Sequence, residues 1–413
     1  MNVLIIGTGG REHALAWRLV QSPLLTQLFI APGNPGTARL GQNVPVAVDD
    51  FDGLVDLARR IQAELVVVGP EDPLARGLVD RLLAAGIPAF GPTATAARLE
   101  GSKAFAKALL HAAGVPTAVA YTFASTEAAT AFVRTSGQPW VVKADGLAQG
   151  KGVVVAEDVD ETLAAIIRLS ATPAGQQLLL EQRLYGRELS VLALCDGRVL
   201  LPLTPARDHK RLLDGDAGPN TGGMGAVAPV AEVDADLLAT VVTRCMQPVV
   251  DTLAARGAPF RGSLYAGLIL TEDGPKVLEF NARFGDPEAQ VVLPLIEGDL
   301  LAALLACAEG RLDPTMLRPR AGYAACVVLA AANYPGTPRR GDVITGIEAV
   351  EGTDLLVFHA GTALSEAGLV TAGGRVLGVT GLGATLPAAL DRTYAAVERI
   401  EFAGKQYRTD IGR

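Results

Sequence analysis

Short runs that are apolar at every position alternate with amphipathic stretches through the first third of the chain. Val3–Ile6, Leu28–Ile30, Leu65–Val68 and Ile87–Phe90 read as strands, and His13–Val20, Gly53–Ala63 and Leu74–Ala85 as helices. Strands that are apolar on both sides, separated by helices, predict a doubly wound parallel sheet covered on both faces. Each strand runs into a glycine or proline loop: Gly7 to Glu12, Ala31 to Gly36, Gly69 to Pro73, and Gly91 to Thr93. Loops at the carboxyl ends of such strands are where open α/β sheets bind ligands.

The first loop has only part of a dinucleotide fingerprint. Gly7 and Gly9 fit, but Glu12 stands at the third glycine position, and Ala31 and Pro32 follow the second strand where a ribose-binding acid would lie. A nicotinamide-dependent oxidoreductase is disfavoured on both grounds. The amides of Gly9 and Gly10 at a helix start suit a phosphate, and a tight turn needing glycine for packing explains them as well. Glu71 and Asp72 either cap the next helix or accept hydrogen bonds from sugar hydroxyls.

The pattern changes after Gly101. Ser102 caps a helix with Lys103 in its first turn, where a cation opposes the helix dipole and a nearby anion would resolve the conflict. Trp140–Val142 leads through Lys143 into Ala144–Gly152 and the strand Val153–Ala156. A glycine loop flanked by lysines can lie over a polyphosphate, and this one joins strands, unlike a Walker loop. Leu178–Glu181 and Leu189–Leu194 flank a hinge that can pair its backbone with an adenine edge, with Glu188 on a ribose. The stretch 205–228 has no periodicity and holds Arg207, Asp208, Lys210, Asp214, Asp216 and Asn220 to Gly225. It reads as a substrate-closing loop or a solvated one. His209 has no second histidine nearby, which argues against a metal role.

Val277–Gln290 is the most informative segment. On a strand, Glu279, Asn281 and Arg283 share a face while Leu278 and Phe280 enter the core. Glu279 and Asn281 offer hard oxygens to a phosphate-bound Mg²⁺. Arg283 offers positive charge to a transferring phosphoryl group. Gly285, Asp286, Pro287 and Glu288 follow at once.

Composition narrows the class. A chain of 413 residues predicts two to four domains, and 49% apolar against 19% charged residues excludes a disordered chain. The longest apolar stretch, around Ala324–Ala332, is about half of the ~20 residues a membrane-spanning helix needs. The N-terminus has no basic region before its first apolar run, so a cytoplasmic protein is expected. Cys195, Cys245, Cys307 and Cys326 have no paired spacing, against a disulfide framework or zinc site. A net charge of −8 with no basic run makes nucleic-acid binding unexpected.

Taken together, Gly-Gly-Arg-Glu-His-Ala (9–14), Gly-Pro-Glu-Asp-Pro-Leu (69–74), Lys-Ala-Asp-Gly-Leu-Ala-Gln-Gly-Lys-Gly (143–152), Asp-His-Lys-Arg (208–211), Gly-Pro-Asn-Thr-Gly-Gly-Met-Gly (218–225) and Arg-Phe-Gly-Asp-Pro-Glu (283–288) resemble the glycinamide ribonucleotide synthetase family of ATP-grasp ligases over essentially the whole chain. The resemblance implies an α/β chain with an ATP-grasp fold. It divides into an N-terminal substrate-binding domain (1–102), an ATP-grasp region (103–322) with a mobile α+β lid at about 120–186, and a small β-rich C-terminal domain (323–413).

It implies ATP-dependent joining of glycine to 5-phosphoribosylamine through glycyl phosphate, in de novo purine biosynthesis, by a monomer with no nucleic-acid or membrane partner. By the same resemblance Lys103, Lys143, Gly146, Gly150, Lys151 and Gly152 meet the ATP phosphates, Glu181, Gln182 and Leu184 the adenine, and Glu188 the ribose. Glu279 and Asn281 hold Mg²⁺, with Mn²⁺ as a substitute. Gly9, Gly10, Arg11, Glu12, Glu71, Asp208, Lys210, Asn220, Thr221, Gly222, Gly223, Arg283 and Asp286 line the substrate pockets, and Lys143, Asp208 and Arg283 act in catalysis. Many ATP-grasp relatives supply a further carboxylate from the preceding strand. Here Gly267–Leu270 is apolar, which favours one metal ion over two. A biotin-carboxylase-like ligase and a non-catalytic nucleotide sensor are the alternatives. The sensor would not need Glu279, Asn281 and Arg283 together.

Overall fold

Strand residues that alternate sides can all be apolar only where both sheet faces are covered, and the N-terminal runs meet that condition. The computed structural model describes residues 1–147 and 152–413. Its first sheet has the strand order Gln42–Asn43, Gln27–Pro32, Asn2–Gly7, Leu65–Val68, Ala89–Phe90, with every neighbouring pair parallel. Leu4 and Ile6 pack into one core and Val3 and Ile5 into another, on opposite faces. The helix predicted over Leu74–Ala85 is two, Glu71–Ala75 and Leu78–Ala84, because Gly77 between them is left-handed (φ 85°).

An antiparallel sheet follows, ordered Ala120–Phe123, Leu178–Glu181, Val141–Ala144, Val153–Val155. The helices Thr126–Ser136 and Val159–Ser170 pack on it around a core of their own that includes Trp140, Val142, Ile166 and Leu180. Residues 182–186 connect this body to the central sheet, ordered Leu200–Pro202, Arg187–Asp196, Arg261–Thr271, Gly274–Asn281. Gly186 ends the connection because a Cβ there would lie 2.1 Å from the Leu270 carbonyl oxygen. No larger residue fits between the two backbone segments.

The stretch 205–228 is not irregular throughout. Arg207–Asp208 and Gly225–Ala228 are strands, and between them Arg211–Leu213 and Ala217–Asn220 form a small hairpin. Strands of so few residues, rich in Gly and Asp, lack the alternation that a sequence pattern needs. The outer pair joins a sheet ordered Arg207–Asp208, Gly225–Ala228, Tyr323–Ala330, Arg375–Gly383, Leu355–His359, covered by the helix Leu386–Val397. This sheet straddles the expected division at residues 322 and 323. Among the described residues, no helix is long and apolar enough to cross a membrane. All four cysteines are free and buried.

Candidate active site

Two lysines of the middle region, Lys143 and Lys107, converge on a single carboxylate. Glu181, at the end of its strand, is 3% exposed and lies 2.9 Å from Lys143 Nζ and 3.3 Å from Lys107 Nζ. Burial alone would raise its pKa, but the two ammonium groups outweigh it and hold the carboxyl below its ordinary range. Burial pushes Lys107 down. The side chain of Glu181 is thus committed to the lysines, which leaves its backbone as the part that can meet an adenine. The backbone beside it remains at the hinge, where the Gln182 amide is held by the Val119 carbonyl at 2.9 Å and Leu184 is half-buried.

Lys103 starts the helix Lys103–Ala112, with Ser102 as its cap. The anion that its position called for is Asp145. Its carboxylate accepts from the Ala104 amide at 3.1 Å and from Ser102 Oγ at 3.1 Å, while Lys103 Nζ donates to the Gly146 carbonyl at 2.7 Å. The start of the glycine loop is thereby docked on a helix N-terminus. Gly152 lies where the described chain resumes, and Gly150 and Lys151 fall outside the described residues.

A β-bulge corrects the predicted strand phase. Opposite Gly267 and Leu268 the register jumps from Glu279 to Val277, leaving Leu278 unpaired. Val277 and Phe280 therefore enter the core, and Leu278 stays half-exposed. The freed Leu278 carbonyl accepts from Lys143 Nζ at 3.2 Å, tying the phosphate-loop strand to the neighbour of Glu279. Beyond the bulge, Glu279 and Asn281 keep the two-residue spacing and a common face. Burial would raise Glu279, yet Lys210, Lys143 and Lys103 hold its carboxyl low and charged.

One carboxylate and one amide, both hard oxygen donors, fit a Mg²⁺ whose other ligands are phosphate and water. Among the described residues no group of three or more His, Cys, Asp or Glu side chains could hold a metal ion. The donor set thus suits an ion brought with its phosphates.

Arg283 departs from the expected arrangement. The strand ends at Asn281, and the guanidinium turns to Glu71 at 3.2 Å and Glu100 at 3.0 Å. Glu100 also accepts from the Ala282 amide at 2.7 Å, and burial raises its pKa. Glu71 is held low, Arg283 and Arg11 outweighing its burial. Arg283 thus faces the N-terminal loops rather than the metal pair.

Those loops are filled by Glu12, which is 2% exposed. It accepts from the Gly9 amide at 2.7 Å and from Arg11 Nε at 2.6 Å. A Cβ on Gly69 would lie 2.0 Å from its carboxylate, so any larger residue there would push Glu12 off its partners. The Gly9 amide expected to meet a phosphate is engaged within the protein, and the Arg11 amide points to Asp286 at 3.4 Å. Asp286 in turn accepts from Gln290 at 2.8 Å. Burial works against its charge, but Arg375 and Arg11 keep the carboxyl low.

Asp208 and Lys210 lie at the root of the hairpin. Lys210 Nζ is 3.2 Å from Glu188 and 3.8 Å from Glu279, so Glu188 is paired as well as exposed. Burial raises Asp208 to about 7, with Glu288, Glu188 and Glu279 adding to the effect against Lys210. Behind them Ser190 Oγ, Tyr265 Oη and Glu288 form a buried chain, with contacts of 2.9 and 2.8 Å.

Thr221 returns to Lys210, its amide and hydroxyl each 2.8 Å from the Lys210 carbonyl. Asn220 is the last residue of the hairpin. Gly222 is gripped from the C-terminal part. Tyr334 Oη accepts from its amide at 3.0 Å, and Arg375 donates to its carbonyl at 2.6 Å and to the Asp286 carbonyl at 2.5 Å. Gly223 packs so closely that a Cβ would lie 2.5 Å from Pro287.

Sequence reading missed Lys107, Glu100, Tyr265, Tyr334 and Arg375. Arg375 follows the glycine pair Gly373 and Gly374, but the role of each of the five is recognisable only by the distant residue it touches. Glu288 lay within a motif without an assigned role.

Three family descriptions match the chain in order: "Phosphoribosylglycinamide synthetase, N domain" at residues 1–100, its "ATP-grasp (A) domain" at 101–289 and its "C domain" at 324–413. The phosphoribosylamine–glycine ligase of Nostoc sp. is 49% identical over 100% of this chain and 99% of its own length. The crystal structure of phosphoribosylamine–glycine ligase from Thermotoga maritima is 35% identical, with a TM-score of 0.87 over 100% of both chains. The biotin carboxylase domain of Hydrogenobacter thermophilus 2-oxoglutarate carboxylase has a TM-score of 0.76 over 98% of this chain and 91% of its own, at 19% identity. That likeness shows the ATP-grasp fold alone.

Proposed function

Because the chain belongs to the phosphoribosylglycinamide synthetase family, matched over all of its N, ATP-grasp and C domains, we infer that it joins glycine to 5-phosphoribosylamine, converting ATP to ADP and phosphate. It is a phosphoribosylamine–glycine ligase of purine biosynthesis. The observation that carries the reading is the strand face shared by Glu279 and Asn281, with Lys210 3.8 Å from Glu279 and Lys143 bound to the neighbouring Leu278 carbonyl. On this reading the nucleotide loop, the metal pair and the substrate segments act together there.

A carboxylate needs a better leaving group before an amine can displace it. A glycine carboxylate oxygen attacks the γ-phosphorus, ADP leaves, and glycyl phosphate forms. The amine nitrogen then attacks the acyl carbon, phosphate leaves, and the nitrogen loses a proton. The protein's part in phosphoryl transfer is positioning and charge stabilisation. Lys103, Lys143 and the glycine loop hold the phosphates, with Glu181 keeping Lys143 aimed. The hinge backbone at Gln182 to Leu184 reads the adenine, and Glu188 the ribose. Glu279 and Asn281 would hold a Mg²⁺, or Mn²⁺ in its place, which lowers the charge on the phosphates when bound.

Asp208, Lys210 and the Asn220 to Gly223 segment orient glycine and the amine. Arg11, Glu12, Glu71, Arg283 and Asp286 frame the phosphoribosyl pocket. The division at residues 102 and 322, the lid at about 120–186, and a cytoplasmic monomer belong to the same proposal.

ADP release should require both glycine and phosphoribosylamine, each omitted in turn. Equal turnover with alanine or with unphosphorylated ribosylamine would remove the substrate assignment and leave the ATP-grasp reading standing. Sedimentation at micromolar concentration tests the monomer.

A further inference from the structure

The hairpin that presents Lys210 has no core of its own, since Leu213 to Pro219 are all exposed. Its position comes from the last residues of the chain. Arg408, 1% exposed, pairs with Asp216 Oδ1 at 2.7 Å and with both oxygens of Asp410 at 2.7 and 2.8 Å, and reaches the Arg211 carbonyl at 3.3 Å. Asp410 also accepts from the Gly215 amide at 2.8 Å, and Asp214 from the Thr409 amide at 2.8 Å. The Gly412 amide donates to His209 Nε2 at 3.2 Å, between Asp208 and Lys210. Ile411, fully buried, and the Tyr394 hydroxyl, which donates to the Arg408 carbonyl at 3.1 Å, fix the tail to the C-terminal sheet and helix.

We propose that Arg408 is a positioning residue: through Asp216, Asp410 and the Arg211 carbonyl, the C-terminal tail latches the 211–220 hairpin and so sets Lys210 and the Thr221–Gly223 turn against the substrates. A buried arginine costs more to desolvate than an apolar side chain of its size, and ion pairs of this kind serve to fix geometry better than to raise stability. Arg408 holds Asp216 at the hairpin tip and the Arg211 carbonyl at its root at once, and orients Asp410 toward the Gly215 amide, which an apolar residue cannot do. The consequence for the site is direct. The Lys210 carbonyl takes both the amide and the hydroxyl of Thr221 at 2.8 Å, so a shift of the hairpin moves the ammonium group and the glycine turn together.

The inference rests on the ligase reading and deepens it. Arg408→Met keeps most of the volume and removes the ion pairs. With kcat and KM measured for each substrate, kcat/KM for glycine and for phosphoribosylamine should fall by about tenfold or more, while KM for ATP changes by less than about twofold. Arg408→Lys should recover part of the loss. In a Lys210→Met background the Arg408→Met effect should shrink to the part carried by the Thr221–Gly223 turn, because contacts acting through one residue are not additive.

Asp216→Asn, at an exposed position, should reproduce a smaller loss of the same pattern and decides the matter if Arg408→Met does not fold. A lowered melting temperature with parental kinetics, or a full Arg408→Met effect in the Lys210→Met background, overturns the latch. An unaltered enzyme that makes no ADP from both substrates overturns the ligase reading and the latch with it. An active parent with unaffected variants removes the latch alone.

Discussion

Glu279 and Glu181 are both carboxylates among lysines, yet their replacement should have opposite consequences. Glu279 is 38% exposed at its side chain and is held charged by Lys210, Lys143 and Lys103. Glu279→Gln should leave the melting temperature unchanged and raise the Mg²⁺ requirement. Losing about 3–4 kcal/mol of charge stabilisation corresponds to roughly 10²–10³ in turnover, read in the ADP-release assay. Glu181 is buried between Lys107 and Lys143, whose side chains are 7% and 8% exposed. Glu181→Gln leaves two buried ammonium groups facing a neutral amide, and urea unfolding should show a loss of about 3–5 kcal/mol. Parental stability in that variant would mean the triad is not the internal brace described above. That Glu279 and Asn281 share a face was legible because two hard donors at strand spacing announce themselves locally. The lysine partners of the Glu181 side chain were not, because Lys107 lies on a helix in another segment.

Among elements, the body around 120–186 shows what periodicity can and cannot find. Three of its strands follow apolar runs, Leu178–Glu181 residue for residue, while the strand Ala120–Phe123 and the helices Thr126–Ser136 and Val159–Ser170 do not appear in the sequence reading. Its attachment was not legible: the Asp145 cap on the Lys103 helix and the Gly186 approach to Leu270 both depend on residues far apart in sequence. The bulge at Leu278 was hidden for a related reason. A single unpaired residue shifts the inside–outside phase, and nothing in the strand's composition marks where. A body with its own core, joined through residues 182–186, should tighten over ATP. Amide exchange across 120–186 should slow when a non-hydrolysable ATP analogue binds. Unchanged protection would count against the lid while sparing ATP binding.

At the scale of the molecule, the N- and C-terminal parts meet at two buried histidines. His13 Nδ1 accepts from the His359 amide at 2.8 Å and must be unprotonated to do so. Burial lowers His13 to about 3, with His359 and Arg39 adding to the effect, and lowers His359 to about 4. Both folded values lie below the unfolded value of about 6.5. The stability they allow is therefore complete above that pH and is lost as pH falls through about 4 and then about 3. Below about pH 6 the unfolded chain binds up to two more protons than the folded one, a slope of up to about 2.7 kcal/mol per pH unit. Urea midpoints between pH 7 and pH 5 should fall for the parent and less steeply for His13→Gln. Parallel curves would sink the idea. None of this was visible in the motif Gly-Gly-Arg-Glu-His-Ala, because the other half of the contact lies at the far end of the chain. The same distance hid Arg375 and Tyr334, although the site depends on their hold on Gly222 and Asp286.

The ladder in which Gly225–Ala228 pairs with Ala324–Val327 has an evolutionary consequence. A recombination crossover near residue 322 would exchange the C-terminal segment as a cassette while leaving behind the strands that complete its sheet. Each parental half would then carry an open edge cut to the register of its lost neighbour. Such chimaeras should survive only between parents whose 207–228 segments already match, so that segment and the C-terminal sheet should be inherited as a single unit. The segment's own change is limited in the same way. Insertions are tolerable at the exposed hairpin turn around Asp214 to Gly218, and costly in the two strands that lead into it.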